Sequence, residues 1–503
     1  MMSKLMSGAA AVIALAGTSA LRAGDQFNFV EASGVCQGGA HRMVGEFQDA
    51  LGWDRQEYGG WGSCEPKRGQ FNDQPIYDFG KAAIEYRKQG KQVLPIIDYG
   101  VDWACDRTGT FIAGDKKYVY HPGPNGKVLV DLYKREGDGR WTKTAGDAEA
   151  NPGFMPIAQE FVPDWENHVR RVVKILRAPP YNVEYFQIWN EAHPDSGFWQ
   201  GDMDTYMTRI HLPAAKVIHE LGGKVVYGGW PCCGSLHDYV ALLDKHRAWS
   251  SIDVLDVHYF PLSAFPFLRQ ESRKRGFNMA IWQTEVAFTT DINYVGNTYP
   301  RFVDWCLRNQ PAHDKYKLFF FAMWSPDDPK AYGYGRTFLS GERPSGHGKS
   351  IVTLGKLLKG ANVKLYAPVT SMPQLKPELD ERLSAMEAFL VDDKRIVVAI
   401  HMIPSNSAKI YLDADGNSIH LDMGTPTVAL AFPELKKDRI ANVERWSMTG
   451  SVTDLTASVA AAPAGAGVIL DAPIRDADLK DGNYIDMPEG QLRQTFYVAI
   501  TLK

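Results

Sequence analysis

Two short runs carry the residues best suited to chemistry. Trp189-Asn190-Glu191 ends the apolar stretch VEYFQIWNE at Val183–Glu191, and Glu285 ends MAIWQTE at Met279–Glu285. Each is an aromatic-rich run of strand length that finishes on a carboxylate. Two carboxylates facing one cavity suit cleavage of a glycosidic bond, in which one donates a proton to the leaving oxygen and the other attacks, or directs attack at, the anomeric carbon. Their surroundings must then differ, so that one holds a proton while the other stays ionised. Taken alone, either glutamate reads equally well as a structural ion-pair partner. The pair gains meaning only if the chain brings both to one rim.

The surrounding elements predict that it does. Phe27–Glu31 reads as a first strand followed by a helix at His41–Leu51, and Trp53–Trp61 as a second strand, carrying Arg55, followed by a helix at Ile76–Gln89. Val93–Tyr99 is the third strand. A helix with Trp165, Val169, Val172, Val173 and Leu176 on one face leads into Val183–Glu191 as the fourth. Strands at Lys224–Gly229, Ile252–His258, Met279–Glu285 and Lys317–Trp324 alternate with helices at Asp202–Leu221, Ser235–Ala248, Phe267–Arg275, Pro300–Asn309 and Lys349–Leu358. Eight such units predict an α/β fold, a closed (β/α)8 TIM barrel over 24–360, with the ends of its fourth and seventh strands on the same face.

Two further regions flank this pattern. An insertion at about 100–156 holds KKYVY, KVLVDLYKR and RWTKT, separated by Pro124-Asn125-Gly126 and Glu136-Gly137-Asp138-Gly139, and predicts a three-stranded meander that shapes the site. Beyond Gly360, short alternating runs such as RIVVAIHM, TVALAF and RQTFYVAITL predict an all-β sandwich over 361–503. DADGN at Asp413–Asn417 has its glycine misplaced for a calcium loop and reads as a hairpin turn. Neither a His-Glu-x-x-His metal motif nor a glycine-rich nucleotide loop after a strand is found, so the reading calls for no metal and no cofactor.

A formal net charge of −4 over 503 residues gives no reason to expect nucleic acid or an anionic membrane as partner. Aromatic residues make up 12% of the chain, a surplus that leans towards carbohydrate. Lys4, the apolar run Ala9–Ala16 and small residues up to Ala23 form the pattern of a signal peptide over 1–23, which predicts a secreted or periplasmic protein. Six cysteines permit disulfides in such a compartment. One pair among Cys36, Cys64 and Cys105 reads equally with three free thiols, Cys232-Cys233 reads either as two thiols or as a vicinal bridge, and Cys306 reads as a buried apolar residue.

With the strands counted, Asn190-Glu191 after the fourth and Glu285 after the seventh resemble the clan A retaining glycoside hydrolases, most closely family 39, which includes β-xylosidases, and its neighbours. The resemblance covers about 25–360 and, more loosely, the C-terminal domain. It implies that Glu191 is the acid/base and Glu285 the nucleophile, with Asn190 on the sugar 2-hydroxyl and Arg55 beside the nucleophile. It also implies that His258 and Tyr259 stand next to the nucleophile and that Trp324 lies under the sugar. Many members carry the tyrosine two positions after the histidine, where this chain has Phe260. His193, Trp199, Trp103 and Trp230 fall in rim loops and read equally as subsite or packing residues.

The expected activity is therefore secreted, retaining hydrolysis of β-glycosidic bonds in a polysaccharide or oligosaccharide, with endo and exo action both open. An exo-acting β-xylosidase-like enzyme and a non-catalytic carbohydrate-binding protein on a hydrolase scaffold are the alternatives.

Overall fold

The computed structural model describes residues 27–287, 293–309, 315–324, 336–366, 370–373, 383–402, 411–412, 418–419, 427–432, 435–461, 468–473 and 494–503. The expected signal segment and the DADGN turn lie outside the described residues.

Eight strands form the barrel: β1 (Ser33–Cys36), β2 (Trp53–Glu57), β3 (Gln92–Ile97), β4 (Tyr185–Ile188), β5 (Lys224–Val226), β6 (Val254–His258), β7 (Ala280–Val286) and β8 (Tyr316–Phe320). Each pairs in parallel with the next, and β8 returns to β1 with Phe319 opposite Gly34, which closes the ring. A side chain at Gly34 would meet the Phe319 ring at 2.6 Å, so glycine is what allows this closing contact. Strand alternation then sorts the residues. Trp53, Leu94, Val226, Val254, Trp282 and Phe319 pack together inside, with the Trp53 and Trp282 rings 5.2 Å apart. Phe186, Ile188, Leu255, Val257 and Leu318 face outwards onto the helices. Two residues beyond Trp53 and Tyr185, Arg55 and Gln187 occupy the inner face above this apolar layer.

Crossover helices follow seven of the strands among the described residues: Gln74–Lys88, Val162–Arg177, Leu212–Glu220, Leu236–Lys245, Ala264–Lys274, Asn293–Arg308 and Gly346–Leu358. The helix expected at His41–Leu51 is absent, and only a 3-10 turn, Gly45–Phe47, is present. Asp54 in β2 explains this locally, since its carboxylate accepts the N–H groups of Gly38 and Gly39 at 2.8 and 2.9 Å and ties the segment after β1 to the sheet. The first strand also lies later than the sequence suggests. Asn28 accepts the Val30 N–H at 2.9 Å and caps one helical turn, Phe29–Ala32, so that pairing starts at Ser33 and not at Phe27.

The insertion is a four-stranded antiparallel sheet, Thr110–Ala113, Lys116–Pro122, Val128–Arg135 and Trp141–Glu149, one strand more than the turns at 124–126 and 136–139 predict. The extra strand is joined by a two-residue turn at Gly114-Asp115, with Gly114 at φ +62°.

In the C-terminal region a six-stranded and a four-stranded antiparallel sheet face each other. Ile396, Val398, Ile400, Phe496 and Val498 of the larger sheet pack on Leu430, Phe432, Val468 and Leu470 of the smaller. The alternate positions Val397, Ala399, Tyr497 and Ala499 join the core of the barrel. The central strands Arg395–Met402 and Gln494–Leu502 are therefore buried on both faces, which explains their near-continuous apolar runs.

All six cysteines are free thiols. The pair left open among Cys36, Cys64 and Cys105 does not form because each lies in a different core: Cys36 inside the barrel, Cys64 under the outer helices, and Cys105 beneath the inserted sheet. Among the described residues no helix is long and apolar enough to cross a membrane.

Candidate active site

Glu191 and Glu285 meet at the C-terminal mouth of the barrel. Nδ1 of His258 lies 2.9 Å from a Glu191 oxygen and 3.7 Å from a Glu285 oxygen, and one oxygen of each carboxylate lies within 4.8 Å of the other. Both side chains are nearly buried. The chain reaches this arrangement through unusual backbone at the strand ends: Trp189, Glu191, Tyr259 and Ala287 all have positive φ, at 66°, 45°, 59° and 71°. Non-glycine residues held there cost of order 1–3 kcal/mol each, and such strain clusters at functional sites. Trp189 turns into the core, its Nε1 donating to the Phe198 carbonyl at 3.0 Å, while Asn190 turns inwards.

Arg55 ties the two strand ends together. Its Nη1 donates to Glu285, Nη2 to Asn190 and Nε to Gln187, each at 2.6 Å. Burial works against this cation, but the charge of Glu285, together with Cys36, Asp256 and Tyr99, outweighs it and the guanidinium is held above its ordinary value. Asn190 is shared with Tyr99, whose phenol burial pushes up. The second Glu285 oxygen accepts the Tyr259 hydroxyl at 2.6 Å, and that phenol is raised by burial and by the neighbouring carboxylate. Tyr259 therefore reaches Glu285 from immediately after the histidine, its positive φ supplying the turn, and Phe260 lies along the cleft wall.

His258 is fully buried between the carboxylates. Burial alone would push the imidazole down, but the charge of Glu285 and contacts with Asp256 and Glu191 push it up to about 9. Its Nε2 lies 2.9 Å from the Thr284 hydroxyl, which in turn donates to Asp256 at 2.6 Å. A register shift in β7 between Gln283 and Val286 lets the consecutive residues Thr284 and Glu285 both reach this imidazole. Gly229 makes room for the ring: a Cβ there would sit 2.1 Å from His258 Nε2.

The mouth opens into a cleft of about 1540 Å³ that includes Arg55, Asn190, Glu191, Tyr259, Glu285 and Trp324 in its walls. Trp324 is half-buried and carries the Arg42 guanidinium 4.3 Å from its ring centroid. The rim candidates fare differently. Trp199 and Trp230 are core residues, and Trp103 packs partly buried against Trp61 at 5.2 Å. His193 and Trp230 line a smaller neighbouring pocket of about 490 Å³. Sequence reasoning missed Gln187, Tyr99, Asp256 and Thr284, and it missed Phe198, which lines the cleft where Trp199 had been the candidate. The available signals were a glutamine inside an otherwise apolar strand and an Asp-Tyr ending on β3.

No protein-family model matches the chain, and no curated protein matches it. Among solved structures, a glucosidase from Croceicoccus marinus is similar over 95% of this chain and 97% of its own, at a TM-score of 0.51 and 10% identity. A GH30 endoxylanase from Clostridium papyrosolvens matches over 95% of this chain and 98% of its own, at a TM-score of 0.49 and 11% identity. At such identities the likeness concerns the fold, a barrel accompanied by a β domain.

Chemically, the mouth offers two carboxylates on opposite sides of a shared imidazole, one of them also gripped by a guanidinium and a phenol. Glu191, His258 and Glu285 place three ligand atoms within 4.8 Å of one another. Glu285 is already committed to Arg55 and Tyr259, and His258 Nε2 to Thr284, so this set suits acid, base and nucleophile chemistry better than ligation. His121, Asp131 and Asp147 form a second such group on the inserted sheet, where Lys143 already pairs with Asp131 at 2.8 Å.

Proposed function

We propose that the protein is a glycoside hydrolase of the clan A type, close to family 39, that cleaves β-glycosidic bonds with retention, using Glu285 as nucleophile and Glu191 as acid/base. The observation that carries this reading is the approach of the two carboxylates to within 4.8 Å between their nearest oxygens. Retaining enzymes hold the pair about 5–5.5 Å apart, whereas inverting ones leave roughly 6.5–9.5 Å for a water. In the first step Glu191 protonates the departing oxygen as Glu285 bonds to the anomeric carbon. In the second, Glu191 takes a proton from water, which displaces Glu285. Arg55 and Tyr259 fix the Glu285 carboxylate in line, and Asn190, held by Arg55, presents its side chain to the 2-hydroxyl. The cleft exceeds the roughly 300–1,000 Å³ of ordinary small-molecule sites, which favours an oligosaccharide or polysaccharide over a single sugar. The N-terminal leader pattern supports export.

The test is hydrolysis of a panel of 4-nitrophenyl β-glycosides and oligosaccharides. Wild type should turn over at least one, and Glu285→Gln should turn over none. Glu191→Gln should lose on the order of 10²–10⁴-fold on poor leaving groups and far less on nitrophenyl ones. Wild-type rates in Glu285→Gln would remove Glu285 from the nucleophile's role.

A further inference from the structure

The helix Asn293–Arg308 lies between the cleft and the C-terminal sandwich. Tyr294, Thr298 and Arg301, spaced to share one face, line the cleft. On another side the sandwich comes so close that a Cβ at Gly296 would meet Met448 at 2.9 Å and Thr495 at 3.2 Å. A polar chain crosses this seam. The Thr495 hydroxyl lies 2.9 Å from His401 Nδ1, His401 Nε2 bonds to one Glu387 oxygen, and the other Glu387 oxygen lies 3.9 Å from Arg301 Nε. Glu387 and His401 are buried on adjacent strands of the six-stranded sheet, and Arg301 is 36% exposed at the cleft wall.

We propose that the sandwich is part of the substrate-binding apparatus: Glu387, held by His401, is a positioning residue that sets the guanidinium of Arg301 in the cleft, where it donates to sugar hydroxyls. The inference rests on the glycosidase reading and gives the C-terminal sheet a role in it. A buried carboxylate bonded to a buried histidine on the adjacent strand is held in place, and it presents that fixed charge to the arginine it faces. The chemistry at Glu191 and Glu285 is untouched by this link, so its loss acts on binding.

The test measures kcat and KM for wild type, Glu387→Gln, Arg301→Ala and the double variant on the 4-nitrophenyl β-glycoside that wild type turns over fastest. Glu387→Gln and Arg301→Ala should each raise KM roughly tenfold, the size of one lost charge-assisted hydrogen bond, with kcat held. In the Arg301→Ala background, Glu387→Gln should add nothing. Additive effects, a fall in kcat at constant KM, or no change would overturn the proposal. Crystals of wild type and Glu387→Gln give a second readout that needs no turnover. A displaced Arg301 side chain supports the inference and an unmoved one overturns it, so this arm separates its failure from failure of the glycosidase reading.

Discussion

His258 binds the two candidate catalytic groups into one electrostatic unit. Its imidazole is pushed from the ordinary 6.5 to about 9 while fully buried, so its stabilising contribution is complete below pH 6.5 and is lost as pH rises through 9. The shift corresponds to about 3 kcal/mol. Urea midpoints of the wild type should therefore fall between pH 6.5 and 9, and the same fall should be missing in His258→Phe. A wild-type midpoint that stays flat over that window would contradict the charged imidazole. At this scale the sequence was legible where a residue ends a strand. Glu191 and Glu285 could be singled out because each stands where an apolar run stops, whereas Asn190 and Arg55 were singled out by the resemblance to the clan A enzymes. Asp256 and Thr284 could not be read, because each lies inside a run whose apolar neighbours suggest plain burial, and the contacts that join them to each other and to His258 at the end of β6 cross from β6 to β7.

The elements matter through their ends more than their lengths. β4 stops at Ile188, and two left-handed residues, Trp189 and Glu191, carry the chain round so that Asn190 and Glu191 point into the mouth. The loop after β5 has to leave space for this, which is why Gly229, at φ +68°, lies against His258. Gly229→Ala would place a methyl group 2.1 Å from the imidazole at a backbone angle unsuited to alanine. The expected cost is about 1–3 kcal/mol of stability from overpacking, read as a lowered melting temperature. Turnover should fall on the order of 10²-fold as His258 and Glu191 shift. An alanine variant with wild-type melting and rates would show that the glycine is incidental. The sequence placed seven of the eight barrel strands within a few residues, because fully buried parallel strands produce dense apolar runs. It misplaced β1 and the segment after it, where Asn28 and Asp54 rearrange the backbone through side-chain bonds that leave no periodic trace.

For the whole molecule, barrel closure is the decisive event, since it joins β8 to β1 and sets the ends of β4 and β7 across one mouth. Counting alternating units in the sequence anticipated it. The sandwich was legible as a change from helical to alternating patterning, but its second packed face was not: Val397, Ala399, Tyr497 and Ala499 look like ordinary strand residues until the barrel is present to cover them. That shared core makes the sandwich a wall behind the candidate cleft and gives the link from Glu387 to Arg301 its physical basis. The claim on which the rest depends is that the closed barrel holds Glu191 and Glu285 at the spacing of a double displacement. Proton NMR of the product sugar during the first minutes of hydrolysis of a β-linked substrate tests it most directly. The β-anomer should appear first and convert to α only by mutarotation, whereas α-anomer as the first product would contradict the account.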